Sequence, residues 1–235
     1  MGHRVQDRTQ SRGHGFTIVE LLAVVALIVI LISLLLPSLA KVKTSQIRLE
    51  CKRRQRSVGN VFMVYAIDNG SCFPKDAQYN GNWMWDLSRN TVVSLTEYGV
   101  TREEFYCPIY PEQNVEGLWE FTPDFRVAGY FYNFRRTNGP MASTPLIGKE
   151  WLDGMVESNP ASSELITDVV ISQFDDFTEI HGGWSEPHRS SHFDAGSNTP
   201  AGGNVYFLDG HAEWRSFDEM ERRLYPAAAT PTHWF

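Results

Sequence analysis

An uninterrupted apolar run dominates the N-terminal part of the chain. No charged residue lies between Leu21 and Ala40, and the segment from Phe16 to Leu36 is 21 residues long. As an α-helix this segment would measure about 30 Å, which matches the hydrocarbon thickness of a bilayer. The pattern therefore predicts one transmembrane helix. A single carboxylate, Glu20, lies at the entrance of the run, where a charge is costly in lipid and needs a partner.

Apolar positions continue at helical spacing beyond this run, and Asp68-Asn69-Gly70 is a strong signal for a turn. The stripe that they form consists of Ile47, Cys51, Val58, Val61, Phe62 and Tyr65. We therefore predict one helix from Phe16 to about Ile67, with its first half in lipid and its second half packed on a globular domain. Trp83–Tyr98 is interpreted as a second, short helix, and Thr101 with Glu104 has the spacing of a capping box.

Shorter patterns further along the chain predict an antiparallel sheet. Val127–Phe134 and Glu164–Ile171 are rich in aromatic and β-branched residues, which favour strands. Residues 204–208 and 211–215 flank the pair Asp209-Gly210, which predicts a β-hairpin with a two-residue type I′ turn. The fold class predicted from these patterns is α+β, with the long N-terminal helix packed on an antiparallel β-sheet.

Composition supports one membrane element joined to one polar globular domain. The chain has 235 residues, of which 42% are apolar, yet its mean hydropathy is −0.30 despite the aliphatic run. The whole chain has a formal charge of −7. The first 15 residues carry three arginines and one aspartate, a charge of +2, so the rest of the chain has a charge of −9. An acidic domain of this kind argues against nucleic acid as a partner. The basic residues between Lys41 and Arg56 lie next to the span, so anionic lipid headgroups are a closer partner for them than nucleic acid.

The residue types alone leave three interpretations of the N-terminal segment. It could be a plain membrane anchor, or a secretory signal peptide cut after Ser38-Leu39-Ala40, although the run exceeds the 7–15 apolar residues of such a peptide. It could also be a prepilin segment, whose short basic leader is cut before the apolar run. Positive charges lie on both sides of the span, so the positive-inside rule hardly discriminates between orientations.

Residues 15–22, GFTIVELL, resemble the prepilin-type cleavage and methylation motif G-F-T-L-x-E-L-L, with Ile18 in place of leucine. Pro37 stands where pilins and pseudopilins commonly carry a proline. The resemblance implies that prepilin peptidase cleaves between Gly15 and Phe16, that Phe16 is then N-methylated, and that Glu20 takes part in assembly. Cleavage would create an ammonium one turn from Glu20, and the carboxylate of one subunit would then meet the ammonium of its neighbour.

The same resemblance implies a division of the chain and a function. Residues 1–15 would be the leader in the cytoplasm, residues 16–36 the transmembrane half of the helix, and residues 37–235 a periplasmic, pilin-like globular domain. The protein would be a structural subunit, not an enzyme, of a type II secretion or type IV pilus-like filament. Its partners would be prepilin peptidase, other pilin or pseudopilin subunits and the lipid of the inner membrane.

The C-terminal part resembles a prepilin-type subgroup with an H-x9-DG motif. The matching positions are Arg189, His192, Gly202-Gly203, Asn204 to Phe207, and Asp209-Gly210-His211. Sixteen residues separate His192 from Asp209 where the motif has nine. An insertion around Ala195–Pro200 would explain the difference.

The three cysteines, Cys51, Cys72 and Cys107, are too few and too widely spaced for a zinc framework. In an oxidising compartment they allow one disulfide and leave one thiol, and three reduced thiols are the alternative. Residues 51–74 and Phe105–Pro108 also resemble a bacterial subgroup of these proteins. That resemblance carries Cys51 and Cys107 together and favours a disulfide between these two. Cys72, which is close to the turn at Gly70, is the alternative partner of Cys107.

Histidines and carboxylates near the C-terminus offer a competing interpretation, a membrane-anchored enzyme or metal-binding module. The candidates are His181, His188, His192, Asp194, Asp209 and His211, with Asp175, Asp176 and Asp194 as a possible calcium set. They lack the helical spacing that would align them, and Asp209 is a turn residue, so we predict no metal, cofactor or catalytic site. A third interpretation is a minor pilin that binds carbohydrate through exposed aromatic residues, which would be Trp83, Trp85, Trp119, Trp151 and Trp184.

Overall fold

The computed structural model describes residues 17–74, 83–135, 149–155, 159–181, 188–194, 196–224 and 231–235. The predicted leader and the cleavage-site residues Gly15 and Phe16 lie outside these ranges. The chain divides into two compact units, residues 1–45 and residues 46–235. The N-terminal unit contains the apolar run, and the C-terminal unit contains the sheets and the hydrophobic core.

Helix α1 (Ile18–Asp68) has 51 residues and ends at the predicted turn. Its first turn is a capping box, because Thr17 N donates to Glu20 Oε2 at 2.8 Å and Glu20 N donates to Thr17 Oγ1 at 3.2 Å. The segment Ile18–Leu36 has no buried residue, and by length and composition it is able to cross a membrane. One N-terminal helix that could be a membrane span is therefore present, as predicted.

The C-terminal part of α1 supplies one wall of the main hydrophobic core. Cys51, Val58, Phe62 and Ala66 are completely buried, and Ile47, Val61 and Tyr65 are partly buried. The predicted stripe therefore faces the core. Gln55, a polar residue, is also completely buried on this stripe.

Three antiparallel sheets make up the rest of the C-terminal unit in the described ranges. In the first, β1 (Asp86–Ser88) pairs with β2 (Phe125–Val127). In the second, the order is β3 (Tyr130–Tyr132), β4 (Glu164–Asp168), β6 (Gly202–Phe207) and β7 (Ala212–Ser216), and in the third it is β5 (Ile171–Ser172), β9 (Thr232–Trp234) and β8 (Arg222–Leu224). A mixed α+β fold with antiparallel sheets is thus confirmed.

Short helices connect these strands. They are α2 (Arg89–Glu97), α3 (Glu116–Trp119) and the 3₁₀ turns Arg102–Phe105, Pro111–Gln113, Pro160–Ser162 and Phe217–Glu219. The helix predicted over Trp83–Tyr98 is wrong in its first half, because Asp86–Ser88 pairs as a strand and Ser88 caps α2 by accepting from Thr91 N. The capping box at Thr101 is confirmed, since Thr101 N donates to Glu104 Oε2 at 2.9 Å.

Two predicted strands are each interrupted by a dipeptide with other hydrogen-bond partners. In Val127–Phe134 the break is at Ala128-Gly129, where Ala128 N donates to Trp85 O and Gly129 N donates to Phe105 O. In Glu164–Ile171 the break is at Val169-Val170, whose carbonyl groups accept from Ser191 N and Trp234 N. The local pattern was read correctly as extended, but distant segments decide where each strand ends.

In the four-stranded sheet, β3, β4 and β6 are buried on both faces, whereas the edge strand β7 is partly exposed. Tyr130 and Tyr132 join the core cluster that contains α1, whereas Phe131, which points the opposite way, joins a second cluster with Trp85. Helix α1 approaches the first face so closely that Gly59 lies against the ring of Tyr206.

The hairpin of β6 and β7 has a three-residue loop, which corrects the predicted two-residue turn. Phe207 N donates to His211 O at 3.0 Å, which leaves residues 208–210 in the loop. Gly210 has a φ of +88°, whereas the φ of Asp209 is not positive. A type I′ turn needs positive φ at both central residues, so the single left-handed glycine belongs to a three-residue hairpin.

Candidate functional site

The structure brings three of the predicted site residues together and leaves two apart. Cys51, Cys107 and His192 meet with Asp168 in one buried cluster, where their side-chain donor atoms all lie within 4.8 Å of one another. Asp209 and Gly210 lie at the tip of the β6–β7 hairpin, where Asp209 bonds its own neighbour His211. The motif that the sequence suggested therefore does not form one site.

Short contacts connect the four side chains of this cluster. Cys51 Sγ lies 2.8 Å from Asp168 Oδ1 and 3.0 Å from Cys107 Sγ. His192 Nε2 lies 3.0 Å from Asp168 Oδ2 and 3.3 Å from Cys107 Sγ. The exposed fractions are 0% for Cys51, 2% for Cys107, 1% for Asp168 and 2% for His192. The cluster is closed to solvent.

Four separate segments of the chain supply these side chains. Cys51 comes from α1, and Asp168 is the last residue of β4, on the face that α1 covers. Cys107 follows the 3₁₀ turn Arg102–Phe105, and Arg54 of α1 fixes that turn by donating to Glu103 O and Tyr106 O. The cluster thus lies between α1 and the four-stranded sheet.

His192 occupies an unusual backbone conformation. Its φ is +49°, in the left-handed region that residues other than glycine seldom adopt. The loop is held on both sides, because Ser191 N donates to Val169 O and Ala201 N donates to His192 O, each at 2.7 Å. The imidazole also meets the ring of Trp214 edge-on. These contacts therefore hold His192 in a strained backbone conformation, and that conformation places Nε2 in the cluster.

Asp168 is oriented by two neighbours that belong to the same core. Gln55 Nε2 donates to Oδ1 at 2.9 Å, and Asn204 donates to Oδ2 through its backbone N at 2.7 Å and through Nδ2 at 2.9 Å. A Cβ atom on Gly203 would lie 2.9 Å from the Cβ of Asp168. The glycine next to Asn204 thus gives the carboxylate room to turn towards α1.

Burial and charge shift the pKa values of these groups in opposite directions. Burial raises the pKa of the Cys51 thiol, and Cys107 and Asp168 raise it further. Burial opposes the charge of Asp168, but the charge of His192 and the hydrogen bonds from His192, Cys51 and Asn204 together lower the pKa of the carboxyl. Burial likewise opposes the charge of His192, but Asp168 and Cys107 together raise the pKa of the imidazole. At Cys107 burial and the charge of Asp168 act to raise the pKa of the thiol, but the hydrogen bond with Cys51 and the charge and hydrogen bond of His192 lower it. This arrangement contains a buried ion pair between Asp168 and His192.

The geometry does not suit nucleophilic catalysis. A cysteine nucleophile needs one imidazole nitrogen facing the thiol and the other held by an orienting group. Here the same atom, His192 Nε2, faces both Cys107 Sγ and Asp168 Oδ2. All four residues are also buried, so Cys107 Sγ is not presented to solvent.

Cys51 and Cys107, the pair for which a disulfide is predicted, lie side by side as thiols. Their Sγ separation of 3.0 Å exceeds the bond length of about 2.05 Å in a disulfide, so the bridge stays a prediction. Cys72, the alternative partner of Cys107, lies in a backbone bridge with Gly154 and is half-buried. The wide spacing of the cysteines along the chain does not exclude a metal site, because folding brings two of them against a histidine and a carboxylate.

The remaining candidates do not gather around this cluster. His181, Asp194 and Asp209 are exposed, and His188 is buried beside the ring of Trp85. Among the tryptophans considered for carbohydrate binding, Trp85 and Trp151 are buried and Trp83 and Trp119 are half-buried. Trp184 lies outside the described residues.

Sequence reasoning missed Asp168 and Gln55, and it included Asn204 only as a position of the C-terminal motif. The signal for Asp168 was a carboxylate inside the apolar strand sequence ELITDVVI, which is rarely buried without a partner. The signal for Gln55 was its position between Cys51 and Val58 on the apolar stripe of α1. Both are polar residues at core positions, and such residues need hydrogen-bond partners.

Comparison with protein-family models, with curated proteins and with solved structures finds no match for this chain.

Proposed function

We propose that this chain is a pseudopilin-like or pilin-like structural subunit, anchored in the inner membrane by the first half of α1 and processed by prepilin peptidase. The observation that carries the proposal is the course of α1. The helix begins within the GFTIVELL motif, continues through an apolar segment with no buried residue, and ends in a segment whose Cys51, Val58 and Phe62 are completely buried.

The apolar half of α1 needs an apolar environment, and none of the residues that the structure describes buries it. Side chains such as Leu34, Leu35 and Leu36 are 60–70% exposed. A continuous apolar surface of this length requires lipid or other apolar helices around it. A filament of parallel helices in and above a membrane provides both.

Glu20 fits a role in assembly because it has acceptor capacity to spare. Within the chain, Glu20 Oε2 accepts from Thr17 N at 2.8 Å and from Thr17 Oγ1 at 2.9 Å. A carboxylate offers about four acceptor positions, so a further cation can be bound. Cleavage before Phe16 supplies that cation as the new terminal ammonium, and a neighbouring subunit brings it within reach.

Replacement of Glu20 tests this role. We expect Glu20→Ala and Glu20→Gln to be cleaved normally and to remain in the membrane, but to lose most intersubunit cross-links, because the ammonium of the neighbour then lacks a counter-charge. Glu50→Ala is the matched control, since Glu50 is a carboxylate on the same helix that pairs with Arg53 and Arg54 outside the span. Cross-linking in envelopes of the native host, followed by immunoblotting, measures assembly. Undiminished cross-linking of both Glu20 variants would contradict the proposed role.

A further inference from the structure

We propose that Cys51, Cys107, Asp168 and His192 bind one divalent transition-metal ion, zinc above all, in a closed four-ligand site. The ion would join α1 to the four-stranded sheet. This inference goes beyond the proposed function and depends on neither the membrane segment nor leader cleavage, because all four residues belong to the unit formed by residues 46–235.

The donor set is the first argument for a metal. Two thiolates, one imidazole and one carboxylate are ligands that zinc accepts, and structural zinc sites have four protein ligands in a tetrahedron. Around a zinc ion such ligand atoms lie roughly 3.3–3.8 Å apart, given bond lengths of about 2.0–2.3 Å. The separations of 2.8–3.3 Å between neighbouring donor atoms are slightly shorter, and no two donor atoms of the set lie more than 4.8 Å apart. Shifts of about 1 Å or less, which spread the neighbouring atoms and bring the more distant ones closer, would therefore accommodate the ion.

A closed ring of contacts between the donor atoms is the second argument. An ion pair between Asp168 and His192 would satisfy the imidazole with a single carboxylate oxygen. Instead, His192 Nε2 is shared between Asp168 Oδ2 and Cys107 Sγ, and Cys51 Sγ contacts both Cys107 Sγ and Asp168 Oδ1. A proton satisfies one such contact, whereas a metal ion at the centre satisfies all four donor atoms together.

The groups around Asp168 are those that a metal-binding carboxylate requires. Ligating carboxylates in proteins are themselves held by hydrogen bonds, which fix the orientation of the oxygen atoms. Gln55 and Asn204 donate three such bonds to Asp168, and both residues are buried.

The ionisation of the ligands has to change when the ion binds. Without metal, two thiols and the ion pair of Asp168 with His192 carry no net charge. With both thiols ionised and the imidazole neutral, the four ligands carry a charge of −3, and a divalent ion reduces this to −1. Metal binding would therefore release the protons of the thiols and of Nε2, and the amide groups of Gln55 and Asn204 would stabilise the remaining charge.

The experiment measures metal on the full chain, extracted in a mild detergent and purified under reducing conditions without a metal-chelating resin. Elemental analysis gives zinc per chain, and reconstitution with Co²⁺ reports the ligands. We expect one zinc ion per chain, and a cobalt complex with the thiolate charge-transfer absorption and strong visible bands of a tetrahedral site.

Matched variants assign the ligands. Cys51→Ser, Cys107→Ser and His192→Gln should each lose most of the bound metal, whereas Cys72→Ser and His188→Gln should retain it. Alkylation of the unsubstituted chain keeps the test valid where a variant fails to fold. Cys51 and Cys107 should resist alkylation until a chelator is added, while Cys72 reacts throughout.

Two results would overturn the proposal. One is a Cys51–Cys107 disulfide peptide, found by non-reducing mapping of protein from the native envelope with no metal bound. The other is a reduced chain that takes up neither Zn²⁺ nor Co²⁺ although its circular dichroism shows it to be folded. Neither result bears on cleavage of the leader, so failure of the metal site and failure of the proposed function can be told apart.

Discussion

Replacing Gly59 with alanine tests the packing of α1 on the four-stranded sheet. A Cβ atom on Gly59 would lie 2.2 Å from Cε1, 2.5 Å from Cδ1 and 2.6 Å from Cζ of Tyr206. The ring of Tyr206 is completely buried, and its hydroxyl donates to Asn60 Oδ1 at 2.8 Å. The ring therefore cannot move aside without losing that hydrogen bond, and the helix cannot move away without opening the core.

Two opposing effects set the size of the change in the free energy of unfolding. Alanine in place of glycine in a helix normally stabilises by about 1 kcal/mol. Overpacking of a core costs about 1–3 kcal/mol, and a contact more than 1 Å shorter than the optimum of about 3.5–4.0 Å puts this case at the upper end. We expect a net loss of about 2 kcal/mol, which lowers the melting temperature by about 4–8 °C for a unit of this size.

Thermal and urea unfolding of the detergent-extracted chain, followed by near-ultraviolet circular dichroism, measure this loss. A double-mutant cycle isolates its cause, because Gly59→Ala in a Tyr206→Ala background no longer meets the ring and should stabilise by about 1 kcal/mol. Arg56→Ala, at an exposed position of the same helix, serves as the control and should change the free energy of unfolding by less than about 0.5 kcal/mol. The reasoning is refuted if Gly59→Ala is as stable as the unsubstituted chain, or if it loses the same amount in both backgrounds.

Two further predictions concern the two core clusters. Phe62→Ala should cost about 3–5 kcal/mol in urea unfolding, because Phe62 is completely buried among the rings of the first cluster, whereas Val64→Ala on the exposed face should cost little. In the second cluster, burial lowers the pKa of His188 to about 4 and that of His233 to about 3, from an ordinary value of 6.5. The unfolded chain therefore binds protons below pH 6.5 that the folded chain does not, and stability should fall by about 2 kcal/mol per histidine by about pH 5. An unfolding midpoint that stays constant between pH 7 and about pH 5 would contradict this.

Long, periodic elements could be predicted from the sequence because the residues within them determine their secondary structure. The extent of α1 follows from its apolar run, its helical stripe and the turn at Asp68-Asn69-Gly70, and the structure has these bounds almost unchanged. Strand ends could not be predicted in the same way. The interruption at Ala128-Gly129 depends on Trp85 and Phe105, which are distant in sequence, and a 235-residue chain offers too many such partners to choose among.

The buried cluster, like the strand ends, depends on residues that are distant in sequence. One family resemblance pairs Cys51 with Cys107 and another points to His192, but no local pattern connects the three. Asp168 lies 117 residues beyond Cys51, and the register of β4 against its neighbours decides which face it occupies. A polar residue at a core position of a strand is the signal that a sequence search should follow.

The proposed metal ion and the predicted disulfide exclude each other, because the ion binds Cys51 and Cys107 as thiolates and the disulfide requires both to be oxidised. Both would join α1 to the segment after the 3₁₀ turn Arg102–Phe105, and both would stabilise the unit. A disulfide would use two cysteines and leave Asp168 and His192 as a separate ion pair, whereas a metal ion uses all four groups. The buried, metal-bound thiolates would also be protected from oxidation in an oxidising compartment.

The N-terminus of the mature protein decides whether this chain is a processed pilin-like subunit. Intact mass and N-terminal tandem mass spectrometry are to be measured on protein extracted from membranes of a host with active prepilin peptidase. We expect the mass of residues 16–235 plus one methyl group, carried on the amino group of Phe16, and we expect a bulky residue in place of Gly15 to leave the leader attached. An intact leader in that host, or an N-terminus at Lys41 produced by a signal peptidase, would contradict this expectation.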